Sequence, residues 1–252
     1  MRIVRNTEFV GKRKRIARIS ALVGFLLLAS TFLLIFRPNL ILFAYAILFA
    51  GFIVFNFGMQ QLGKWSRNPR NDEILDARLK ALPDAKYTLV HYAQIGKRVV
   101  EHVLVHPGGL LVLTARELPG KVTVNDRRWR KRGVGFMRFF AMSGPQLGNP
   151  TADLEADVDA LDAFTTERGI DADIYGAVVF LNDNIEIEAE DPAYPALRAD
   201  HLIPFVNAIE PDESFSSQAR ETLVRALAEQ TGSEIETVKP TKRPVKVKRR
   251  AA

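Results

Sequence analysis

The 252-residue chain predicts an α/β domain, a mixed central sheet flanked by helices, preceded by a transmembrane helical hairpin. Three observations predict it. Two apolar runs, Ile19 to Phe36 and Leu40 to Phe57, are separated only by Arg37-Pro38-Asn39. The stretch Val99 to Val124 reads as two hydrophobic strands, Val99 to Val105 and Leu110 to Ala115, joined by the turn His106-Pro107-Gly108-Gly109, with a third strand after Pro119-Gly120. From Pro150 to Arg168 an amphipathic pattern puts Leu154, Val158, Leu161 and Thr165 on one stripe and the acids on the other.

Taken in order, the chain begins with a basic arm, residues 1–18, carrying seven cations, Arg2, Arg5, Lys12, Arg13, Lys14, Arg15 and Arg18, against Glu8. The hairpin follows at 19–57. Each apolar run falls in the ~17–25 residues that span a bilayer, and neither has a polar face, which argues against a buried helical pair. The first run is too long for a cleaved secretory signal and leads into a second run. Arg37 alone sits in the turn, while Lys64, Arg67 and Arg70 follow the second run, so the cation rule puts both ends inside. The expectation is an integral membrane protein of a prokaryotic plasma membrane, with the soluble domain and both termini cytoplasmic. The absence of cysteine agrees with a reduced compartment.

The domain is expected over 64–231. Asn71 to Ala81 reads as a short helix stopped by Pro83, and Lys86 to Tyr92 as a strand ahead of the central hairpin. Val122 to Val124 and Arg128 to Arg132 pair over Asn125-Asp126, and Gly133 to Gly148 is a loop rich in Gly and Phe. After the acidic helix come a strand at Ile174 to Leu181, a turn at Asn182-Asp183-Asn184, a short strand at Ile185 to Ile187, and helices over Arg198 to Ala208 and Ser214 to Thr231. Residues 232–252 read as a basic disordered tail, its seven cations between Lys239 and Arg250 spaced by Pro240 and Pro244.

The formal charge of +6 misleads about the domain. Setting aside the seven arm cations, the seven tail cations, Arg37 and Glu8 leaves 20 Lys and Arg against 28 Asp and Glu, a net of 8 negative. One patch opposes this, Arg127, Arg128, Arg130, Lys131 and Arg132 around Trp129, where Arg could clamp phosphates and Trp stack a base, or which could be an ordinary solvated hairpin. The basic ends face anionic lipid, each cation contributing ~1 kcal/mol near such a surface.

The central stretch resembles the nuclease-related domain (NERD) family. The residues carrying the resemblance are Glu101-His102 opening a strand, the Pro107-Gly108-Gly109 turn, Thr114-Ala115-Arg116 on the next strand and the Gly120-Lys121 step. Helix-borne Glu73 upstream and Asn149-Pro150 opening the acidic helix extend it over roughly Asn71 to Ala208. The resemblance implies a restriction-endonuclease-like fold and a site at Glu101, Thr114, Arg116 and Glu73. It also implies a divalent cation, Mg²⁺, held by Glu101 if hydrolysis persists, and no other cofactor.

At its centre the family's Glu-x-Lys is replaced. Thr114 supplies an oxygen but no negative charge, so a principal attraction for Mg²⁺ is missing. Arg116 stays protonated at any working pH and binds phosphate without acting as a base. Glu117 is expected to turn to the opposite face by strand alternation. His102 points away from Glu101, and His91, His106 and His201 lack metal-ligand spacing. These residues point to a degraded nuclease that binds nucleic acid or a protein partner, with Glu73, Glu101 and Arg116 left as an ion-pair network. The alternative is an active metal-dependent nuclease with a rebuilt site.

Overall fold

The computed structural model describes residues 1–132 and 146–232, with backbone alone at 236–237. Two long helices, α1 (Thr7–Leu34) and α2 (Ile41–Trp65), form the hairpin around a 3-10 turn at Pro38–Leu40. Both are long and apolar enough to cross a membrane. Their contact positions recur every seven residues, Val10, Ala17, Gly24 and Thr31 on one helix and Ala44, Gly51, Gly58 and Trp65 on the other. A Cβ added at Gly24 would strike the Phe55 backbone, and one at Gly58 the Ala21 backbone. Small residues therefore set how closely the backbones approach, as expected where lipid gives helices no hydrophobic reason to associate. Outward side chains such as Phe25, Phe32, Leu33 and Leu42 are exposed.

Among the described residues, seven strands form the main sheet: β1 (Arg2–Arg5), β2 (Thr88–Ile95), β3 (Arg98–His106), β4 (Gly109–Arg116), β7 (Ile174–Phe180), β9 (Ala196–Arg198) and β10 (Glu236–Thr237). Their order is β10-β1-β2-β3-β4-β7-β9. The central β2–β3–β4 ribbon is antiparallel, whereas β1 joins β2, β7 joins β4, and β9 joins β7 in parallel. A smaller sheet is made of β5 (Gly120–Asp126), β6 (Arg128–Arg132) and β8 (Ile185–Pro192), in the order β6-β5-β8. The mixed α/β architecture behind two apolar helices is the one the sequence predicts.

Helices cover both faces of the main sheet. On one, α4 (Pro150–Glu167) and α6 (Ser217–Thr231) bring Leu154, Leu161, Leu223 and Leu227 against Val90, Val103, Val112 and Val178. On the other, α3 (Asn71–Leu79) and α5 (Leu202–Ala208) bring Leu75, Leu79, Leu202 and Val206 against Leu89, Leu104, Leu111 and Val179. Alternation along β4 sorts its residues, Leu110 and Val112 to the α4 face and Leu111 and Leu113 to the α3 face. In β2 the alternation reverses at Tyr92, whose φ is 60°, so that Val90 and Ala93 share a face.

The first residues do not form a separate arm. Arg2–Arg5 is a strand of the main sheet, pairing with Thr88 to His91, and Arg2 donates to Glu221 of α6 at 2.7 Å. The reason lies in Ile3 and Val4, both buried, which give the segment apolar contacts on both faces of the sheet. The basic run from Lys12 to Arg15 continues as the first turns of α1. At the other end, Glu236–Thr237 pairs with Arg2 and Ile3, and the tail cations from Lys239 lie outside the described residues, as does 133–145 of the Gly- and Phe-rich loop. The segment expected as one helix over Arg198 to Ala208 is instead the end of β9, a 3-10 turn at Ala199–His201, and α5.

Candidate functional site

Strand alternation puts Thr114 and Arg116 of β4 on the α4 face, and Glu101 of β3 opens to the same side where the alternation of β2 and β3 breaks opposite Tyr92. Together they line a cavity of about 950 Å³. Its opposite wall is the domain-side end of the hairpin, with Phe9 and Arg13 of α1 and Gln61, Lys64 and Trp65 of α2. Phe9, Trp65 and Tyr92 hold that wall in place, the Phe9 and Trp65 rings packing edge to face with centroids 5.5 Å apart.

Each carboxylate on the cavity has a cation. Glu101 accepts from Lys64 Nζ at 2.6 Å, Asp157 from Arg98 Nε at 2.5 Å, Asp153 from Arg116, and Glu117 from Arg67. Arg116 is further held by the Leu147 carbonyl at 2.9 Å. Burial disfavours the Glu101 charge, but Lys64 and Arg116 more than offset it and hold the carboxyl at about 2. Burial wins at Asp157, whose side chain is 5% exposed, and pushes its pKa up to about 6 despite Arg98. Thr114 is 3% exposed, and its hydroxyl makes no hydrogen bond.

A divalent cation fits this donor set poorly. The strand position that the family fills with a carboxylate holds a neutral hydroxyl, the neighbouring carboxylates already face ammonium or guanidinium groups, and bringing in Mg²⁺ would require breaking several of these pairs. Among the described residues no group of three or more His, Asp and Glu could hold a metal ion.

The expected residues divide accordingly. Glu101, Thr114 and Arg116 come together, but Glu73 does not join them. It sits at the third position of α3 and accepts the Arg70 backbone N–H at 2.9 Å, a helix-capping contact, with the Arg70 guanidinium 3.1 Å away. Glu117 lines the cavity, contrary to expectation, because β4 ends at Arg116 and alternation lapses there. The acids of α4 are not all on its solvent side, since Asp153 and Asp157 face the cavity. The signal for Asp157 was its place three residues after Leu154 and four before Leu161, on the buried stripe.

The basic patch lies elsewhere. Arg127, Arg128 and Arg130 are exposed around the β5–β6 hairpin. Trp129 packs against Phe180, centroids 5.8 Å apart, and donates to Thr151 Oγ1 at 2.7 Å, so its ring anchors the hairpin to α4 rather than standing free to stack a base. Arg127 pairs with Glu155 at 2.9 Å and Arg116 with Asp153. These two acids are two residues apart on α4, on different flanks, so Arg116 and the patch do not form one continuous track.

On the α3 face the histidines are not isolated. His91 Nδ1 and His102 Nδ1 are 2.8 Å apart, and His91 Nε2 is 2.9 Å from Asp76. Burial, with His91 alongside, lowers the His102 pKa to about 3. Asp72, fully buried, lies 2.9 Å from Arg5 Nε in an ion pair and accepts from both Arg70 Nε and Nη2. Burial opposes its charge, yet the Arg70 hydrogen bond and the Arg5 charge hold its pKa at about 2. This network ties β1 and the segment after α2 to α3.

No curated protein and no solved structure shows a significant match to the chain. The family model of the nuclease-related domain matches residues 68–181, the segment that contains α3, the β2–β3–β4 ribbon, α4 and β7. Residues 68–181 therefore match the nuclease-related (NERD) domain, and they follow an N-terminal pair of apolar helices.

Proposed function

We propose that this protein is a membrane-anchored nuclease-related module that has lost metal-dependent hydrolysis and works at the cytoplasmic face as a binding module. One observation carries the reading: Thr114 lines the cavity at the strand position where the family has a metal-holding carboxylate, and the surrounding carboxylates each face a cation. Arg116, held by Asp153 and the Leu147 carbonyl, is a fixed positive charge and not a proton acceptor. The cations flanking the hairpin support the orientation. If nucleic acid is the partner, its phosphates meet Arg127, Arg128 and Arg130 on the exposed hairpin. Binding there is weak and sequence-independent, and it falls with salt at a slope reporting a few neutralised phosphates.

The test is turnover on single- and double-stranded DNA and RNA by the full chain in detergent, with Mg²⁺ or Mn²⁺, beside Glu101→Ala. The expected result is the same background for both. Robust wild-type cleavage that disappears in Glu101→Ala would establish a working nuclease instead. As a second readout, Thr114→Glu with Arg116→Lys should increase Mn²⁺ binding measured by electron paramagnetic resonance.

A further inference from the structure

The cavity has a wall that nuclease chemistry does not call for, the ends of the two apolar helices. Arg13 lies six residues before the apolar run that begins at Ile19, and Lys64 seven after the run that ends at Phe57. At ~1.5 Å per residue those are about 9 and about 10 Å along the helices. A head-group layer adds ~5–8 Å to each side of the hydrocarbon core, so this wall stands at the outer edge of the head groups.

The chemistry of the lining is suited to one anion. Arg13, Lys64, Arg67, Lys97, Arg98 and Arg116 face Glu101, Glu117, Asp153 and Asp157, leaving two cations in excess. The four ion pairs account for all of the acids, and among the described residues neither Arg13 nor Lys97 has an acidic partner. Arg13 is held over the Phe9 ring, 5.0 Å from its centroid. The Thr114 hydroxyl adds a donor that is buried, on the cavity and without a hydrogen bond, so a ligand oxygen can complete it. A volume of about 950 Å³ is that of a small-molecule site.

Resting on the membrane-anchored reading above, we propose that this cavity binds the phosphate head group of an anionic glycerophospholipid, whose acyl chains stay in the bilayer beside α1 and α2. Arg13 and Lys97 neutralise the phosphate, and the Thr114 hydroxyl donates to an oxygen of the head group. A lipid reaches the cavity from the side where the helices enter the membrane. A nucleic acid would have to run along the head-group surface to do so.

Native mass spectrometry of the full chain in mild detergent, titrated with phosphatidylglycerol or phosphatidylcholine, tests this. One phosphatidylglycerol should be retained in preference to phosphatidylcholine. Arg13→Gln with Lys97→Gln should weaken retention at least fivefold. Arg15→Gln with Arg18→Gln, the same charge change at α1 positions off the cavity, should alter it less than twofold. Equal losses in the two double variants, or no preference for the anionic lipid, would overturn the proposal. Thr114→Val supplies a readout with no change of charge and should weaken retention by a few fold. Glycerol 3-phosphate that competes mole for mole with the lipid would assign the site to soluble phosphates. Displacement by a single-stranded oligonucleotide that depends on Arg13 and Lys97 would assign it to nucleic acid, and either result overturns the lipid. Carbonate extraction tests the anchor separately: a protein that stays in the membrane but fails the lipid arms refutes the site alone.

Discussion

On the α3 side of the β2–β3 ribbon Asp72 is sealed between Arg5 and Arg70, whereas on the α4 side Glu101 meets Lys64 on the wall of an open cavity with 28% of its side chain exposed. Both carboxyls are held at about 2, yet the surroundings differ. The Asp72 cluster joins Arg5 of β1 to Arg70 and Asp72 at the start of α3, and the carboxylate is fully buried, so its charges act as structure. The cavity cluster joins the hairpin to the domain and keeps space between its charges. A shared pKa therefore says little about role, and the space beside the charge says more.

The largest effect expected from breaking this comparison is at Asp72. Asp72→Ala removes the buried carboxylate shared by Arg5 and Arg70, which then keep only Asp76 and Glu73, and should destabilise the fold by about 3 kcal/mol in denaturant titration, the low end of the scale for removing one partner of a buried pair. Glu101→Gln should cost much less, because solvent reaches Lys64. Equal losses at the two positions would erase the distinction drawn between them.

Asp157 sharpens the contrast through pH. Its folded pKa of about 6 lies above the ordinary 3.8, so the native state holds the proton more tightly, and its contribution to stability is lost as pH rises from about 4 to about 6. His102 has the opposite slope, because its lowered pKa leaves the native state with fewer protons than the unfolded chain below about pH 6.5. The difference between wild type and Asp157→Asn isolates the carboxyl. The variant should gain on wild type by about 1–3 kcal/mol between pH 4 and pH 7. A difference that does not change with pH would mean that Arg98 compensates the burial fully.

The hairpin can be disturbed without touching either cluster. Gly58→Leu drives a side chain into the Ala21 backbone and should cost about 1–3 kcal/mol, seen as a lower melting temperature in detergent. The smallest effect belongs to Thr114→Val, which removes an unbonded hydroxyl at nearly constant shape and should leave stability within about 1 kcal/mol of wild type or slightly above it. A larger loss would mean that the hydroxyl has a partner in solution.

The sequence by itself determined the parts whose signals are local. Two apolar runs of bilayer length became α1 and α2, and the period-two pattern from Val99 to Ala115 became β3 and β4. The same periodicity put Thr114 and Arg116 on one face, the family resemblance added Glu101, and all three line the cavity. Tertiary structure alone decided what each charge meets. Arg2–Arg5 looked like part of a basic arm because its partner strand lies more than eighty residues away. Glu73 looked like a ligand until α3 used it as a cap, and Trp129 looked available until Phe180 and Thr151 enclosed it. Asp157 was hidden by a stripe read through Val158 rather than through position 157. Backbone patterns repeat over a few residues and can be read along the chain. Ion pairs and cavities join residues brought together by chain reversals, and the interaction of a carboxylate with the cation opposite it is settled only when the sheet and its helices have packed.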